Sequence, residues 1–410
     1  MVRHLATVLS RFPVLVAGIA LAGAATAARA DSMPDGIIVG PWIIAPSLTT
    51  SYEAEDNVFL EKDNDAVDDR VTTFAGDIRA WLPFSNSRLE LGYRASKEDY
   101  AESVFPRDTT EQAHVRLELN FKTGDTLSFS DDYRRDFARS EEVDVGGELT
   151  FNGEPYNLNR WQVELSRTDP GRQGYVIRVR RQDFIYEGEQ DIGFFEYRGF
   201  HNVFEYRQPL PEGRNWVMRY ESKRFNHYDP EGAVGVPFRQ EVTDAVQFGL
   251  RGFLGPQQPF RVHLGYGRFR YDGQKESKFE GIVGTASWRL RLGGRTKLDL
   301  EAIRRPLPSN FETHYINNAV RAELAREWLR FEAGTELELV KNDYADDVVD
   351  LDCSGRRKDD TYEVDVHWGW RVHERLKFRI SSFHAKRSST CDSADYSATG
   401  FQTGFSVGWF

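Results

Sequence analysis

Alternation of apolar and polar side chains, in runs longer than an ordinary strand, is the feature that most constrains the fold of this chain. In residues 362–368, which read YEVDVHW, the alternation is strict, and residues 376–380, 298–301 and 115–119 repeat it. Successive side chains of a β-strand point to opposite faces, so each run forms a strand with one apolar and one charged face. The runs extend over about 10–15 residues, whereas soluble strands usually have about five or six. The sequence therefore predicts an all-β protein of long strands.

Breaks of two sizes separate these runs in alternation. Short polar breaks occur at residues 83–87, 123–125, 169–171, 210–213, 255–256, 293–294, 326–327 and 373–374. Longer, mostly acidic segments lie between them, for example at residues 55–70, 138–154, 229–236 and 341–356. Short turns at one end of the strands and long loops at the other are typical of outer-membrane β-barrels, in which the turns face the periplasm.

Counting strands between these breaks gives an even number. Eight turns join sixteen strands, and further strands at residues 42–52 and 396–410 bring the total to about 18. We therefore predict a transmembrane, antiparallel outer-membrane β-barrel of about 18 strands, with short periplasmic turns and long extracellular loops. Tryptophans near chain ends or short turns are predicted to form one interfacial girdle. They are Trp42, Trp81, Trp216, Trp328, Trp370 and Trp409.

The N-terminal residues have the features of a secretory signal peptide. A basic start precedes an apolar stretch at residues 12–25, and Ala28-Arg29-Ala30 has the small-x-small form that precedes cleavage. The apolar stretch is about 14 residues long, and a helix that spans a bilayer needs about 20. The predicted segments are a signal peptide at 1–30, a short periplasmic N-terminal segment at 31–40 and the barrel at 41–410. The predicted location is the outer membrane of a Gram-negative bacterium.

Composition and motifs argue against several other classes of protein. The chain has 53 basic and 64 acidic side chains, so it lacks the basic surface of a nucleic-acid-binding protein. A β-propeller also repeats about every 40 residues, but its blades hold four short strands. A β-sandwich needs fewer and shorter strands. No G-x-S-x-G, H-E-x-x-H or phosphate-loop motif is present, so we predict no enzyme activity, no cofactor and no metal site.

Charged side chains on the polar face of each strand are predicted to line a water-filled lumen. The basic members are Arg94, Arg116, Arg178, Arg180, Arg219, Lys223, Arg261, Arg289, Arg291, Arg321, Arg330, Arg371, Lys377 and Arg379. The acidic members are Glu90, Glu118, Glu164, Glu205, Glu221, Asp299, Glu301, Glu323, Glu332, Glu336, Glu338, Glu363 and Asp365. Such charges select among solutes, and we expect a hydrophilic solute, with an anionic one as a candidate because arginine binds carboxylates and phosphates. The alternative is that each charge only solvates a wet interior.

The two cysteines of the chain form a candidate disulfide. Cys353 and Cys391 flank the two strands that the predicted turn at 373–374 joins, so both lie at the long-loop end of one hairpin. Passage through the oxidising periplasm allows the bond to form. We predict a Cys353–Cys391 disulfide that links two loops at the mouth of the pore, and two free thiols are the alternative.

A resemblance to a known family comes from the first strands. Residues 46–59 contain the pattern P-x-L-x-x-x-Y-x-x-x-D-N-V-F, and residues 88–93 read RLELGY before Tyr100. This N-terminal region resembles the outer-membrane β-barrel porins of exopolysaccharide gene clusters. The resemblance implies export of a newly made polysaccharide. We expect outer-membrane lipid, lipopolysaccharide, the barrel-assembly machinery and a periplasmic polysaccharide-export component as partners. A general or sugar-uptake diffusion porin is the alternative function, and an outer-membrane surface hydrolase is a distant third.

Overall fold

Long strands make up almost all of the chain that the structure, a computed structural model, describes. The described residues are 35–58, 60, 66–102, 109–137, 155–168, 172–187, 196–227, 238–255, 258–273, 277–308, 314–347, 355–391 and 394–409. The predicted signal peptide at 1–30 lies outside them. In this part of the chain no helix has both the length and the apolar character needed to cross a membrane.

Eighteen long strands follow one short strand. The short strand is β1, Ile37–Val39. The long strands are β2 Trp42–Glu55, β3 Asp69–Phe84, β4 Ser87–Tyr100, β5 Thr109–Asn120, β6 Asp125–Phe137, β7 Pro155–Arg167, β8 Gly174–Tyr186, β9 Tyr197–Pro209, β10 Asn215–His227, β11 Phe238–Phe253, β12 Pro259–Gly273, β13 Ser277–Arg291, β14 Thr296–Pro308, β15 His314–Glu327, β16 Phe331–Asp347, β17 Arg356–His373, β18 Leu376–Ser389 and β19 Tyr396–Gly408. A short 3-10 turn, Pro211–Gly213, connects β9 to β10.

Backbone pairing closes the long strands into a barrel. Each strand from β2 to β19 pairs antiparallel with its neighbours in sequence, and β19 also pairs with β2. The closing pair runs from Gly400 opposite Glu55 to Gly408 opposite Ser47. The predicted closed antiparallel barrel of 18 strands is therefore confirmed. Closure leaves these strands with no unpaired sheet edge.

Where the structure describes them, the short turns fall where the sequence predicts them, with one exception, and the predicted turn at 169–171 lies outside the described residues. Gly124 and Gly293 both adopt a φ of 86°, a left-handed conformation that glycine accepts without steric cost, and each lies in a predicted turn. The predicted turn at 326–327 is wrong, because Arg326 and Glu327 still pair with β16 and the turn falls at 328–330. The reason is that two charged residues in succession mimic a turn in the sequence but fit a strand end equally well.

Two segments outside the predicted strands contain strand residues. In the predicted periplasmic segment at 31–40, Ile37–Val39 forms β1 and pairs with β2, from Ile37 opposite Ile44 to Val39 opposite Trp42. In the predicted loop at 341–356, β16 continues to Asp347 and β17 begins at Arg356. In both segments the strand forms through backbone pairing with a neighbouring strand. Such pairing cannot be predicted from the side-chain pattern of a single strand.

The two faces of the barrel sheet differ in character. Large apolar side chains on one face are exposed, and Phe74 and Leu264 are 61% and 60% exposed. Near the short turns this face carries an aromatic cluster, in which Phe331 stacks on Trp368 and Trp370. A continuous apolar surface of this kind suits lipid rather than water. Trp81 lies opposite Glu90 and therefore on the other face, so the predicted girdle is wrong for that residue.

The closing seam provides a direct test of the architecture. Thr49 and Ser406 lie opposite each other, and their hydroxyl oxygens are 3.1 Å apart. We expect Thr49→Cys with Ser406→Cys to give a cross-linked peptide after oxidation, detected by mass spectrometry. Thr49→Cys with Gln402→Cys is the control, because four residues displace the second thiol by about 13 Å along its strand. Equal cross-linking of both variants, or of neither, would contradict closure between β2 and β19.

Candidate functional site

The register of the strands brings the predicted lumen-lining residues onto one face of the sheet. Residues directly opposite each other in an antiparallel pair point to the same side. Arg289 lies opposite Asp299, which lies opposite Glu323, and Glu323 lies opposite Glu336, which lies opposite Asp365. Followed through every strand pair, this relation places all the predicted lining residues except Arg330 on one face. We call it the charged face.

Arg330 is the exception because it does not belong to a strand. It lies in the turn between Glu327, the last residue of β15, and Phe331, the first residue of β16. Its carbonyl oxygen accepts a hydrogen bond from the Arg371 N–H, at 2.7 Å. The prediction that Arg330 lines the wall is therefore wrong, and the misplaced turn at 326–327 caused the error.

A cavity inside the barrel borders the charged face. Its volume is about 580 Å³, and residues of nine consecutive strands, β7 to β15, surround it. Arg180, Glu221, Thr243 and Tyr315 are among them. Side chains from so many neighbouring strands converge on one space when they point to the concave side of a closed sheet. The exposed apolar side chains consequently occupy the convex side.

Three arginines of β7 and β8 lie side by side on the charged face. Arg178 Nε donates to Glu164 Oε2 at 2.7 Å. Arg180 donates instead to Gln162 Oε1, at 3.1 Å from Nε and 2.9 Å from Nη2, and Arg160 Nε donates to Gln182 Oε1 at 3.1 Å. Among the described residues, neither Arg160 nor Arg180 forms an ion pair within 4 Å. The amides hold these two guanidinium groups in place without neutralising them.

A second cluster, on β9 to β11, is built around a buried carboxylate. Glu205 is 5% exposed and lies 2.6 Å from Arg207, 3.7 Å from Arg219 and 3.5 Å from Arg251. Arg219 also pairs with Glu221 at 2.9 Å. A buried carboxylate is costly unless it is paired, and here several guanidinium groups share it. The cluster therefore fixes three neighbouring strands to each other through their side chains.

Glu221 extends this cluster towards the cavity. Lys223 Nζ lies 3.2 Å from Glu221, and His201 Nε2 lies 2.9 Å from Glu221 Oε1 without hydrogen-bond geometry. His201 in turn lies opposite Arg180 in the register. The arginines of β7 and β8 and the cluster of β9 to β11 therefore form one continuous patch on the charged face.

Opposite signs of charge dominate different parts of the charged face. Among the described residues of β7 to β11, basic side chains outnumber acidic ones. The basic ones are Arg160, Arg178, Arg180, Arg207, Arg219, Lys223 and Arg251, and the acidic ones are Glu164, Glu205, Glu221 and Glu241. On β14 to β17 the balance is reversed, with Asp299, Glu301, Glu323, Glu327, Glu332, Glu336, Glu338, Asp359, Glu363 and Asp365 against Lys297, Arg305, Arg321, Arg357 and Arg371. We call these two regions the basic wall and the acidic wall.

The sequence prediction missed some basic residues of the charged face. Arg160, Arg207 and Arg251 belong to the basic wall, and Arg305 borders the interior cavity. The alternation in the sequence could have identified Arg160, because the apolar residues Trp161 and Val163 of the same strand lie on the opposite face. What the sequence alone lacks is the set of partners that each arginine contacts.

Cys391 is buried and takes part in a disulfide. Its exposed fraction is 1%, and its N–H donates to Ser389 Oγ at 3.1 Å. Cys353 lies outside the described residues, so the Cys353–Cys391 pairing stays a prediction.

Comparisons with known proteins agree with the fold. No protein-family model and no curated protein sequence matches the chain. The iron transporter FrpB of Neisseria meningitidis is 9% identical, with a TM-score of 0.48, over 85% of this chain and 62% of FrpB, so this chain spans about three fifths of that protein. The outer membrane protein OpdK of Pseudomonas aeruginosa is 10% identical over 89% of this chain and 99% of OpdK, with a TM-score of 0.49. The ferric enterobactin receptor PfeA of the same species is 8% identical over 92% and 82%, with a TM-score of 0.50. At these identities the similarity concerns the fold alone.

The buried carboxylate of Glu205 gives a prediction about stability. Glu205→Gln removes the negative charge that three guanidinium groups share, so we expect the free energy of unfolding to fall by about 2–4 kcal/mol. Glu280→Gln is the control, because Glu280 and Arg268 form an exposed pair whose loss should cost less than about 1 kcal/mol. Urea unfolding followed by tryptophan fluorescence measures both variants. Equal losses would contradict the structural role of Glu205.

Proposed function

We propose that this protein is an outer-membrane channel of a Gram-negative bacterium through which an anionic exopolysaccharide is exported. The observation that carries the proposal is the basic wall, where Arg160 and Arg180 border the interior cavity with amides as their contacts. The apolar convex face supports a membrane location, and the charged concave face supports a wet interior.

The two arginines have the chemistry to bind a carboxylate in transit. A guanidinium group held by an amide keeps its full charge, and replacing the amide by a carboxylate gives a shorter, charge-assisted hydrogen bond. Acidic polysaccharides present carboxylates at regular intervals along the chain. When one carboxylate dissociates from Arg180, the next carboxylate along the polymer can therefore bind in its place.

The acidic wall limits how tightly such a polymer is held. Conduction requires binding that is favourable enough for entry and weak enough for release. Carboxylates on β14 to β17 repel an anionic chain, so the polymer is directed to the basic wall without being surrounded by cations. Lipopolysaccharide, the barrel-assembly machinery and a periplasmic export component belong to this proposal as partners.

Ion selectivity tests whether the charged face lines the passage. In planar bilayers, Arg178→Gln with Arg180→Gln should shift selectivity towards cations. Two charges removed at about 7 Å change the free energy of an ion in a wet lumen by about 1 kcal/mol. The change disfavours anions and favours cations, so the anion-to-cation permeability ratio should fall by about 2 kcal/mol, which is about thirtyfold. Reversal potentials in a salt gradient measure this ratio.

A matched control uses neighbouring residues on the other face. Arg181 and Arg198 both contact Asp183, at 2.9 and 2.8 Å, and both lie on the convex side. Arg181→Gln with Arg198→Gln removes the same charge and should leave selectivity unchanged. An equal shift in both double variants, or no shift in either, would contradict the assignment of Arg178 and Arg180 to the passage.

Secretion by living cells tests the transported solute. Deletion of the gene should lower extracellular polysaccharide at least severalfold without loss of growth on any single sugar. Complementation with Arg181→Gln should restore secretion, and complementation with Arg160→Gln and Arg180→Gln should restore it only in part. Normal secretion in the deletion strain, together with impaired growth on one sugar, would favour a sugar-uptake porin instead.

A further inference from the structure

A groove interrupts the convex face of the barrel. It has a volume of about 720 Å³ and extends from β12 to Ser388 of β18. Small residues, Gly284, Ala286 and Ala302, form its floor, whereas Leu264 and Val320 at its sides are 60% and 53% exposed. Three small residues on two adjacent strands thus leave a depression in a surface that is otherwise convex and covered by large apolar side chains.

Two neighbouring rows of side chains give the groove a polar and an apolar end. In the polar row, Arg304 lies opposite Asn318, Asn318 opposite Lys341, and Lys341 opposite Asp360. The apolar row lies two residues closer to the short turns, with Ala302 opposite Val320 and Val320 opposite Leu339. The boundary between the rows has the character of a membrane interface, with hydrocarbon on the short-turn side.

The two cations of the polar row, Arg304 and Lys341, contact neutral groups or a distant carboxylate. Arg304 donates to the carbonyl oxygen of Ile282 at 3.2 Å and to Asn318 Oδ1 at 2.5 Å, and within the described chain it forms no ion pair within 4 Å. Lys341 Nζ lies 3.7 Å from Asp360 Oδ1, and both side chains are more than half exposed. An exposed ion pair of this length contributes little. The polar end of the groove therefore presents net positive charge to the lipid headgroups.

We propose that this groove binds lipopolysaccharide, with one acyl chain along the small-residue floor and one phosphate between Arg304 and Lys341. The inference rests on the proposed outer-membrane location, in which the long-loop end of the strands faces the cell exterior. A lipid of the outer leaflet then has its phosphates at the level of the polar row and its acyl chains at the level of the apolar row. Basic residues next to an apolar surface recognise anionic lipid headgroups in this way.

Charge and shape contribute separately, so two kinds of variant test them. Arg304→Gln with Lys341→Gln removes the phosphate contacts, and Ala286→Leu with Ala302→Leu fills the floor. The matched controls are Arg181→Gln with Arg198→Gln and Ala54→Leu with Ala80→Leu, which make the same changes elsewhere on the convex face. Ala302→Leu alone is a second shape variant if the double substitution prevents folding.

Native mass spectrometry of the full mature protein in detergent, titrated with purified lipopolysaccharide, gives the affinity. We expect the dissociation constant to rise about thirtyfold for Arg304→Gln with Lys341→Gln, as for the loss of two basic contacts to an anionic lipid. The shape variant should also bind more weakly, and both controls should bind as the unmodified protein does. Binding by the groove variants that equals binding by the controls would overturn the proposal.

Competing ligands identify the source of the phosphate. Phosphatidylglycerol that binds as tightly as lipopolysaccharide, or inorganic phosphate that displaces it, would overturn the assignment to lipopolysaccharide. Conductance in bilayers is measured on the same variants and should be unchanged, because the register places the substituted side chains on the convex face and not on the charged face. If the protein conducts ions but does not bind lipopolysaccharide, this inference is refuted and the proposed channel function still stands.

Discussion

The pairing of β2 with β19 is the constraint on which the other features of this protein depend. In a bilayer, every backbone N–H and C=O group needs a partner within the protein, and an open sheet would leave two edges without one. The pair between Ser47–Glu55 and Gly400–Gly408 supplies these partners. It also brings the first and last long strands together, so the barrel is complete only when the whole chain has been paired.

Closure makes the orientation of side chains a property of the whole barrel. Residues opposite each other point to the same face of the sheet. In a closed barrel this must hold for every strand pair in turn, from Thr49 on β2 around to its partner Ser406 on β19. A slip of one residue at any pair would turn a row of charges towards the lipid and a row of apolar side chains towards the interior. The strict alternation of the strands prevents this, because each strand has one register that satisfies both neighbours.

The charged side chains of the concave face differ in their partners: some form ion pairs, and others contact neutral amides. Glu205 and Glu221 each contact several cations and bind neighbouring strands together, so they belong to the architecture. Arg160 and Arg180 contact amides and retain their charge for a solute. A similar contrast exists on the convex face, where the partners of Arg304 among the described residues are neutral groups and where Arg304 borders a groove of small residues.

The sequence by itself determined the closed barrel, the strand number and the face on which Arg178 and Arg180 lie. Alternation and turn residues are local signals, and a strand's two faces follow from its own side chains. Tertiary structure decided which charges meet, as where Arg219 lies between Glu205 and Glu221. Such contacts depend on the stagger between strands, which backbone pairing around the barrel sets. The sequence misplaced Arg330 for a local reason, because the two charged residues at 326–327 resemble a turn. The groove was not predictable from any one strand, because its floor comes from two different strands.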